Sequence, residues 1–479
     1  MAAMAHYWAS CAGGLEFALL KELENLEGTS IIPGIDSYGG VQFRTTSAPQ
    51  KVAELRSADN VYAFLSHHKK IPVDKESGMA FLGSLAGKID WEPVMQLHRL
   101  WQETEEPDSS SGISDPLLTI NGMANVEQTH VTPQRSFRVT GNRICKDMKK
   151  HGYTSMDAAA AIGDGMHELL GWPADMRSFN VEVLAWIIDD ELLLVLALIY
   201  SGNKKKTKNL QNVSNINEPC AEVEDVEGSE QVKSTKKKRP AERPSRADAQ
   251  LYSRRPYRKA LVHTSLKPST AYGLLQLADV QPGDIVLDPM CGCGTIPLEA
   301  SNWLGTRVMG LAGDFVDTAV EAANINATAG ESPGHCDVVR WDASMLPLRT
   351  ASIDRVICDM PFGNRCGNHK VREVLCPRVV KQVVRVLRPG SGIAVLMAQS
   401  KTMKEEIEVN QKAYLNLQKH FYVYMEGLKV DVFVVRRTSE PAPTQQIVRP
   451  IKNMAKRKRD GQLTKQAALE NLSSENPVQ

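Results

Sequence analysis

Eight consecutive residues, Asp288-Pro-Met-Cys-Gly-Cys-Gly-Thr295, bring a carboxylate, two thiols and two glycines together. Three chemistries compete for such a cluster: a metal site, a redox pair and the floor of a cofactor pocket. A C-x-C spacing with no second thiol pair is poor zinc geometry. No thioredoxin-like pattern supports a redox pair. A phosphate-binding loop would end in Gly-Lys-Ser/Thr, and a dinucleotide fingerprint would need a third glycine where Pro297 stands. The cofactor floor remains. Gly292 and Gly294 let the backbone turn tightly and approach a ligand closely. The helix that follows offers free N–H groups. Cys291 and Cys293 then fill small positions in the turn, as free thiols open to alkylation or oxidation.

Three more carboxylates stand where apolar runs end. Asp314 closes "RVMGLAGD", Asp342 closes "DVVRWD", and Asp359 opens "DMPFG". Asp314 suits a ribose diol, from which it would accept two hydroxyl hydrogen bonds. Asp342 is placed to accept from an adenine amino group. Each piece alone reads as a turn former. A glycine turn followed by three such carboxylates in one ordered unit points instead to a ligand site.

The elements that must position these residues follow from the hydrophobic pattern between Tyr252 and Thr438. Short apolar strands alternate with helices: "DIVLD", "TIPLEASNWL", "RVMGLAGD", "TAVEAANINATA", "DVVRWD", "IDRVICDMPFG", "REVLCPRVVKQVVRVL", "GIAVLMAQ". That alternation predicts a mostly parallel, doubly wound α/β sheet, with ligands at the carboxyl ends of its strands. "FYVYMEGL" and "DVFVVRR" predict an antiparallel finish.

The rest of the chain divides by composition. Residues 1–102 alternate strand and helix signals, and "MAHYWASCAGGLEFALLKELENL" reads as strand, turn and amphipathic helix. Residues 103–134 form a polar insertion around "ETEEPDSSSGISDP". Residues 135–200 read as strand, helix, strand, strand. Residues 201–250 have too few large apolar residues to bury a core and are expected to be a disordered linker. Residues 251–438 are the doubly wound block, and 439–479 a disordered basic tail carrying "KRKR". A formal charge of +1 over 479 residues announces no nucleic-acid partner, so any such partner must rest on local patches. The longest apolar run, Leu192–Tyr200, is far short of the roughly 20 residues a membrane span needs. No membrane association and no signal peptide are expected, and scattered cysteines fit a reducing compartment.

The 251–438 block resembles a class I, Rossmann-like S-adenosylmethionine-dependent methyltransferase. "DMPFG" resembles the D/N-P-P-Y/F motif of enzymes that methylate exocyclic amines, with Met360 in place of the first proline. The chemistry explains the residue types. The lone pair of a base amino group is delocalised into the ring. Asp359 and the backbone carbonyl beside it can accept the amine hydrogens and draw that lone pair out, while Phe362 stacks on the base.

From about His6 to Thr438 the chain is similar to the THUMP-domain guanosine-N2 tRNA methyltransferases. The carriers are "SFRVTGNR", "GWPADMRSFNVEV", "LKPSTAYGLL", "LDPMCGCGTIPLEA" and "WDASMLPLRTASIDRVICDMPFG". The resemblance implies an N-terminal α+β module, ferredoxin-like plus THUMP, that binds tRNA. It implies N2-methylguanosine in the acceptor stem, at position 6 or 7, and a small zinc-binding activator subunit as heterodimer partner. Asp288, Met290, Gly292 and Gly294 would then line the methionine end of S-adenosylmethionine. Asp314 would hold the ribose, Asp342 and Ala343 the adenine, and Ser269 and Thr270 would border the cofactor. Asp359, Pro361 and Phe362 would form the reaction site, with no metal. Two departures stand out. Cys293 replaces a Thr, Ser or Leu, and Asn364-Arg365 replaces Lys-Arg after the motif.

Arg138, Asn142, Arg143, Lys146, Lys149 and Lys150 form a basic stretch suited to RNA phosphates or to a solvated face. "KKKRP" at Lys236–Pro240 fits a nuclear-import signal or a solubilising linker. The implied compartment is the cytoplasm, with the nucleus open. Two other functions compete: methylation of another structured RNA such as a small nuclear RNA, and RNA binding without catalysis. Intact Asp288, Gly292, Gly294, Asp314, Asp342 and Asp359 weigh against the last.

Overall fold

The computed structural model of the chain describes residues 4–34, 39–104, 135–144, 151–198, 255–262, 265–329, 334–360, 369–399, 401–425 and 428–441. The insertion expected at 103–134, the linker at 201–250 and the tail at 439–479 lie outside these residues, except for Glu103, Thr104 and residues 439–441. The described residues fall into two compact units. One takes the chain up to Pro256 with Leu266–Gly273 and Val423–Gly427; the other takes Tyr257–Ser265, Leu274–Tyr422 and the residues from Leu428 onward.

The first unit is built on a seven-stranded sheet. Its strands are β1 (Ala5–Ser10), β2 (Ser30–Ile32), β3 (Gly40–Thr45), β4 (Asn60–Lys69), β5 (Phe137–Ile144), β6 (Val181–Ile188) and β7 (Glu191–Ala197), in the order β2-β3-β1-β4-β7-β6-β5. β4 pairs antiparallel with β7, and β5 runs parallel to β6. The segments on either side of 105–134 therefore share one continuous sheet. β6 alternates buried and half-buried residues, as a strand with one core face must. Five helices accompany the sheet: α1 (Glu16–Leu23), α2 (Pro49–Ala53), α3 (Lys75–Gly83), α4 (Trp91–Thr104) and α5 (Ser155–Leu170). The core gathers Tyr7, Leu19, Phe43, Leu82, Trp101, Ile162 and Val183. α5 begins in a reciprocal cap: Asp157 N donates to Thr154 Oγ1 at 3.1 Å, and Thr154 N donates to Asp157 Oδ2 at 2.7 Å. It ends at Gly171, in the left-handed region at φ 67°.

The second unit is the doubly wound sheet expected from the sequence. Its strands are β8 (Ile285–Asp288), β9 (Met309–Asp314), β10 (His335–Arg340), β11 (Arg355–Asp359), β12 (Ile393–Ala398), β13 (Leu415–Met425) and β14 (Leu428–Arg437), in the order β10-β9-β8-β11-β12-β14-β13. The first five are mutually parallel, and β14 is antiparallel to β12. β12 is buried along its whole length, so it shows no alternation. The helices are α7 (Thr295–Leu304), α8 (Asp317–Ala327), α9 (His369–Val386) and α10 (Lys401–Glu405), the last running into one π-helical turn, together with the end of α6 (Pro268–Leu277), whose residues up to Gly273 belong to the first unit. Strand order reverses at β8, between β9 and β11. At that crevice the carboxyl ends of adjacent strands diverge and a ligand can enter. No helix among the described residues is long and apolar enough to cross a membrane.

Candidate active site

The three middle strands β9, β8 and β11 end in Asp314, Asp288 and Asp359. Parallel pairing in register brings these carboxylates to one edge of the sheet. The turn after β8 is held by its own backbone: Cys291 N donates to Gly313 O at 2.9 Å, and Gly294 N to Cys291 O at 2.8 Å. Gly292 and Gly294 sit at φ 52° and 81°, where a side chain would strain the chain. Trp341, just past β10, lies under the turn and donates from Nε1 to Pro289 O at 3.0 Å. Gly313 makes room for it, since a Cβ there would meet the indole at 2.0 Å.

Each carboxylate has a distinct environment. Asp314 takes the Gly292 N–H on Oδ2 at 3.0 Å and the Val316 N–H on Oδ1 at 2.9 Å. Its remaining lone pairs suit a vicinal diol. Asp342 accepts on Oδ1 from both the backbone N–H and the hydroxyl of Ser344, at 2.8 and 2.7 Å. Asp288 is buried and accepts from Met290 N at 3.0 Å. Burial, with Asp359 and Asp314 adding repulsion, holds its carboxyl well above the usual range. Asp359 Oδ1 is buried and meets no hydrogen-bond partner among the described residues. Burial pushes its carboxyl up to about 7. A buried acceptor without a donor is costly unless something else supplies one.

The thiols are less accessible than the sequence suggests. Cys291 and Cys293 are both buried. Burial and nearby carboxylates push the Cys291 thiol well up, away from the reactive thiolate. Cys293 Sγ contacts Ser265 Oγ at 3.2 Å and Thr295 Oγ1 at 3.4 Å. The alkylation or oxidation expected of Cys291 and Cys293 as free thiols of the turn is corrected by this burial.

The structure thus gathers Asp288, Met290, Gly292, Gly294, Asp314, Asp342, Ala343 and Asp359 around one crevice of the second unit. Pro361 and Phe362 lie outside the described residues. Ser269 and Thr270, at the start of α6, are buried and belong to the first unit through Leu266–Gly273, not to the unit that holds the crevice. The Ser269 hydroxyl donates to Asp59 Oδ1, and Lys267 Nζ reaches Asp59 Oδ2 at 2.7 Å. Of the basic stretch, Arg138 is committed locally: Nη2 meets Glu182 Oε1 at 2.6 Å, and its guanidinium lies 4.1 Å from the centre of the Phe179 ring. Arg143 Nη1 donates to Tyr153 O. Asn142 lies between them on β5, opposite Trp186. Lys146, Lys149 and Lys150 lie outside the described residues. Sequence reasoning missed Trp341, Gly313 and Ser344. A glycine just before a strand-end aspartate was the available signal for the first two.

Residues 255–430 match the family model described as RMKL-like, methyltransferase domain. Most of that matched span lies in the second unit. The span holds every described carboxylate and glycine of the crevice. The chain is 30% identical over 331 residues to the mouse (Mus musculus) protein named tRNA (guanine(6)-N(2))-methyltransferase THUMP3, covering 67% of this chain and 54% of that protein. It therefore spans about half the length of this curated relative. It is also 24% identical over 354 residues to a Bos taurus U6 snRNA (guanine-N(2))-methyltransferase THUMPD2, covering 70% of this chain and 57% of that protein. Among solved structures, TrmN from Thermus thermophilus superposes with a TM-score of 0.57 at 22% identity, covering 91% of this chain and 100% of that one. That likeness shows a shared fold.

Proposed function

We propose that this protein is an S-adenosylmethionine-dependent tRNA guanosine-N2 methyltransferase. Its product would be N2-methylguanosine in the acceptor stem at position 6, the position in the mouse relative's name. The observation that carries this reading is Asp359 Oδ1, a buried acceptor at the carboxyl end of β11 with no partner among the described residues. An exocyclic amine is the donor it lacks.

The residues present fit the cofactor. The glycine turn has no Cβ to obstruct a ligand, and Asp314 keeps acceptor capacity for a ribose. Asp342 and Ala343 border the place of an adenine. Bound there, S-adenosylmethionine supplies an electrophilic methyl group on a sulfonium. Asp359 accepts an amine hydrogen and orients the nitrogen lone pair, so that rate comes chiefly from positioning. The RNA is held by the first unit. A small zinc-binding activator subunit is the partner we assign, and the cytoplasm, with access to the nucleus, the compartment.

The test is methyl transfer from labelled S-adenosylmethionine to total tRNA and, separately, to small nuclear RNA, with the product digested to nucleosides. N2-methylguanosine from tRNA is the expected result. The same nucleoside from small nuclear RNA alone would move the substrate to the class named for the Bos taurus relative. Asp359→Ala should abolish transfer and leave RNA affinity within about twofold. Turnover surviving that change would overturn the assignment.

A further inference from the structure

We propose that Asn326 is a positioning residue for the cofactor turn, acting as a clamp that fastens a strap, residues 257–262, across it. This inference rests on the assignment of the glycine turn as cofactor floor.

Asn326 lies on α8 at 1% exposure, and its amide uses both ends. Nδ2 donates to Cys293 O at 2.9 Å, inside the glycine turn, and to Ala260 O at 2.8 Å, on the strap. Oδ1 accepts from Lys259 N and Ala260 N, each at 2.8 Å. One side chain thus satisfies four backbone groups from two segments that share no secondary structure. Only an amide of this length offers two donors and an acceptor in that arrangement. The site is distinct from the carboxylates of the crevice, which Asn326 does not touch.

The strap has two further ties. Tyr257 Oη donates to Glu299 Oε2 on α7 at 2.8 Å. At the other end, Val262 sits beside Gly292, its Cγ2 3.7 Å from where a Cβ would stand. Ser265 Oγ takes the Val262 N–H at 2.8 Å, donates to Val262 O at 2.7 Å and meets Cys293 Sγ at 3.2 Å. The turn is therefore gripped from below by Trp341 and from the flank by the strap. Two glycines at positive φ make it intrinsically pliable, since glycine loses the most conformational freedom on ordering. Clamping it beforehand lowers the entropic cost of binding.

The test is calorimetric titration of the full chain with S-adenosylhomocysteine, without RNA, for wild type, Asn326→Asp and Ser265→Ala, each checked by thermal melting. Asp keeps the acceptor for Lys259 and Ala260 but turns an oxygen toward the carbonyls of Cys293 and Ala260. Affinity should fall at least about tenfold in Asn326→Asp and about threefold in Ser265→Ala, the range for lost buried hydrogen bonds. In methyl transfer, KM for S-adenosylmethionine should rise with the same ratios while kcat at saturation holds, a split that general destabilisation would not give. Wild-type binding with both variants inside twofold would overturn the clamp alone. If Asn326→Asp fails to fold, Ser265→Ala decides by the same criterion, because Ser265 is part-exposed and its change leaves no buried cavity. No binding by wild type would overturn the cofactor assignment, and the clamp with it.

Discussion

The backbone N–H of Gly292 donates to Asp314 Oδ2 at 3.0 Å, tying the turn after β8 to the carboxylate that ends β9. Asp314 therefore shapes the turn, and under the proposed function it would also offer acceptors to a ribose. Asp314→Asn would set an amide against the N–H of Gly292 or of Val316. Cofactor affinity should fall by roughly 10- to 100-fold, more than one lost ligand bond would give. Titration with S-adenosylhomocysteine measures this, and wild-type affinity in the variant would remove Asp314 from both roles.

Asp359 sets a pH dependence. Its carboxyl titrates near 7 in the folded chain, against an ordinary value of 3.8. Only the ionised form accepts freely from an amine, so kcat/KM should rise with pH through about 7 and then level off. Stability should move the other way. Between 3.8 and about 7 the folded chain keeps a proton that the unfolded chain has released. This contribution is present in full below 3.8 and is lost as pH rises through about 7. Asp359→Asn should flatten both profiles, the activity at background. A profile in the active wild type that ignores this range would exclude Asp359 as the titrating group.

Gly313 should tolerate no side chain. A Cβ there would meet Trp341 Cε2, Cζ2 and Nε1 at 2.0, 2.3 and 2.4 Å. Gly313→Ala must push the indole away from Pro289 O, at a cost of about 1–3 kcal/mol for overpacking. Urea unfolding followed by tryptophan fluorescence would show it, with weakened cofactor binding alongside. A variant as stable as wild type would mean the ring has somewhere else to go.

Arg138 should contribute little to RNA binding, because Glu182 already neutralises it across the β5–β6 pair. Arg138→Ala should leave the slope of log affinity against log salt nearly unchanged, where a free phosphate ligand would lower it by about 0.7–0.9. Glu182→Ala should instead free the guanidinium and strengthen binding at low salt. The reverse pattern would restore Arg138 as a phosphate ligand.

The second unit was largely legible because its signals are local. Each strand of the parallel sheet is a short apolar run, and Asp288, Asp314 and Asp359 each end one. The partners of these residues were not legible. Glu182 opposes Arg138 only because β5 and β6 are parallel neighbours, and their 44-residue separation carries no periodicity. Asp59 and Ser269 meet from positions 210 apart. Asn326 sits among alanines on α8, and nothing in its spacing names Ala260 or Cys293 as the groups it must satisfy. The continuity of the first sheet was hidden for the same reason: strand pairing between β4 and β7 has no counterpart in either strand's own pattern.

That continuity has a consequence for synthesis on the ribosome. Lys69 pairs with Glu191, and Tyr62 with Ala197. The middle of the first sheet cannot close until the chain has grown more than 120 residues past β4. Until then β4 presents one open edge, with Tyr62, Ala63 and Phe64 awaiting β7, and such edges recruit other chains. Loop closure of this length is slow relative to local helix formation. The nascent chain should therefore depend on chaperones over this interval, and a ribosome stalled before β7 emerges should leave an aggregation-prone fragment rather than a folded half.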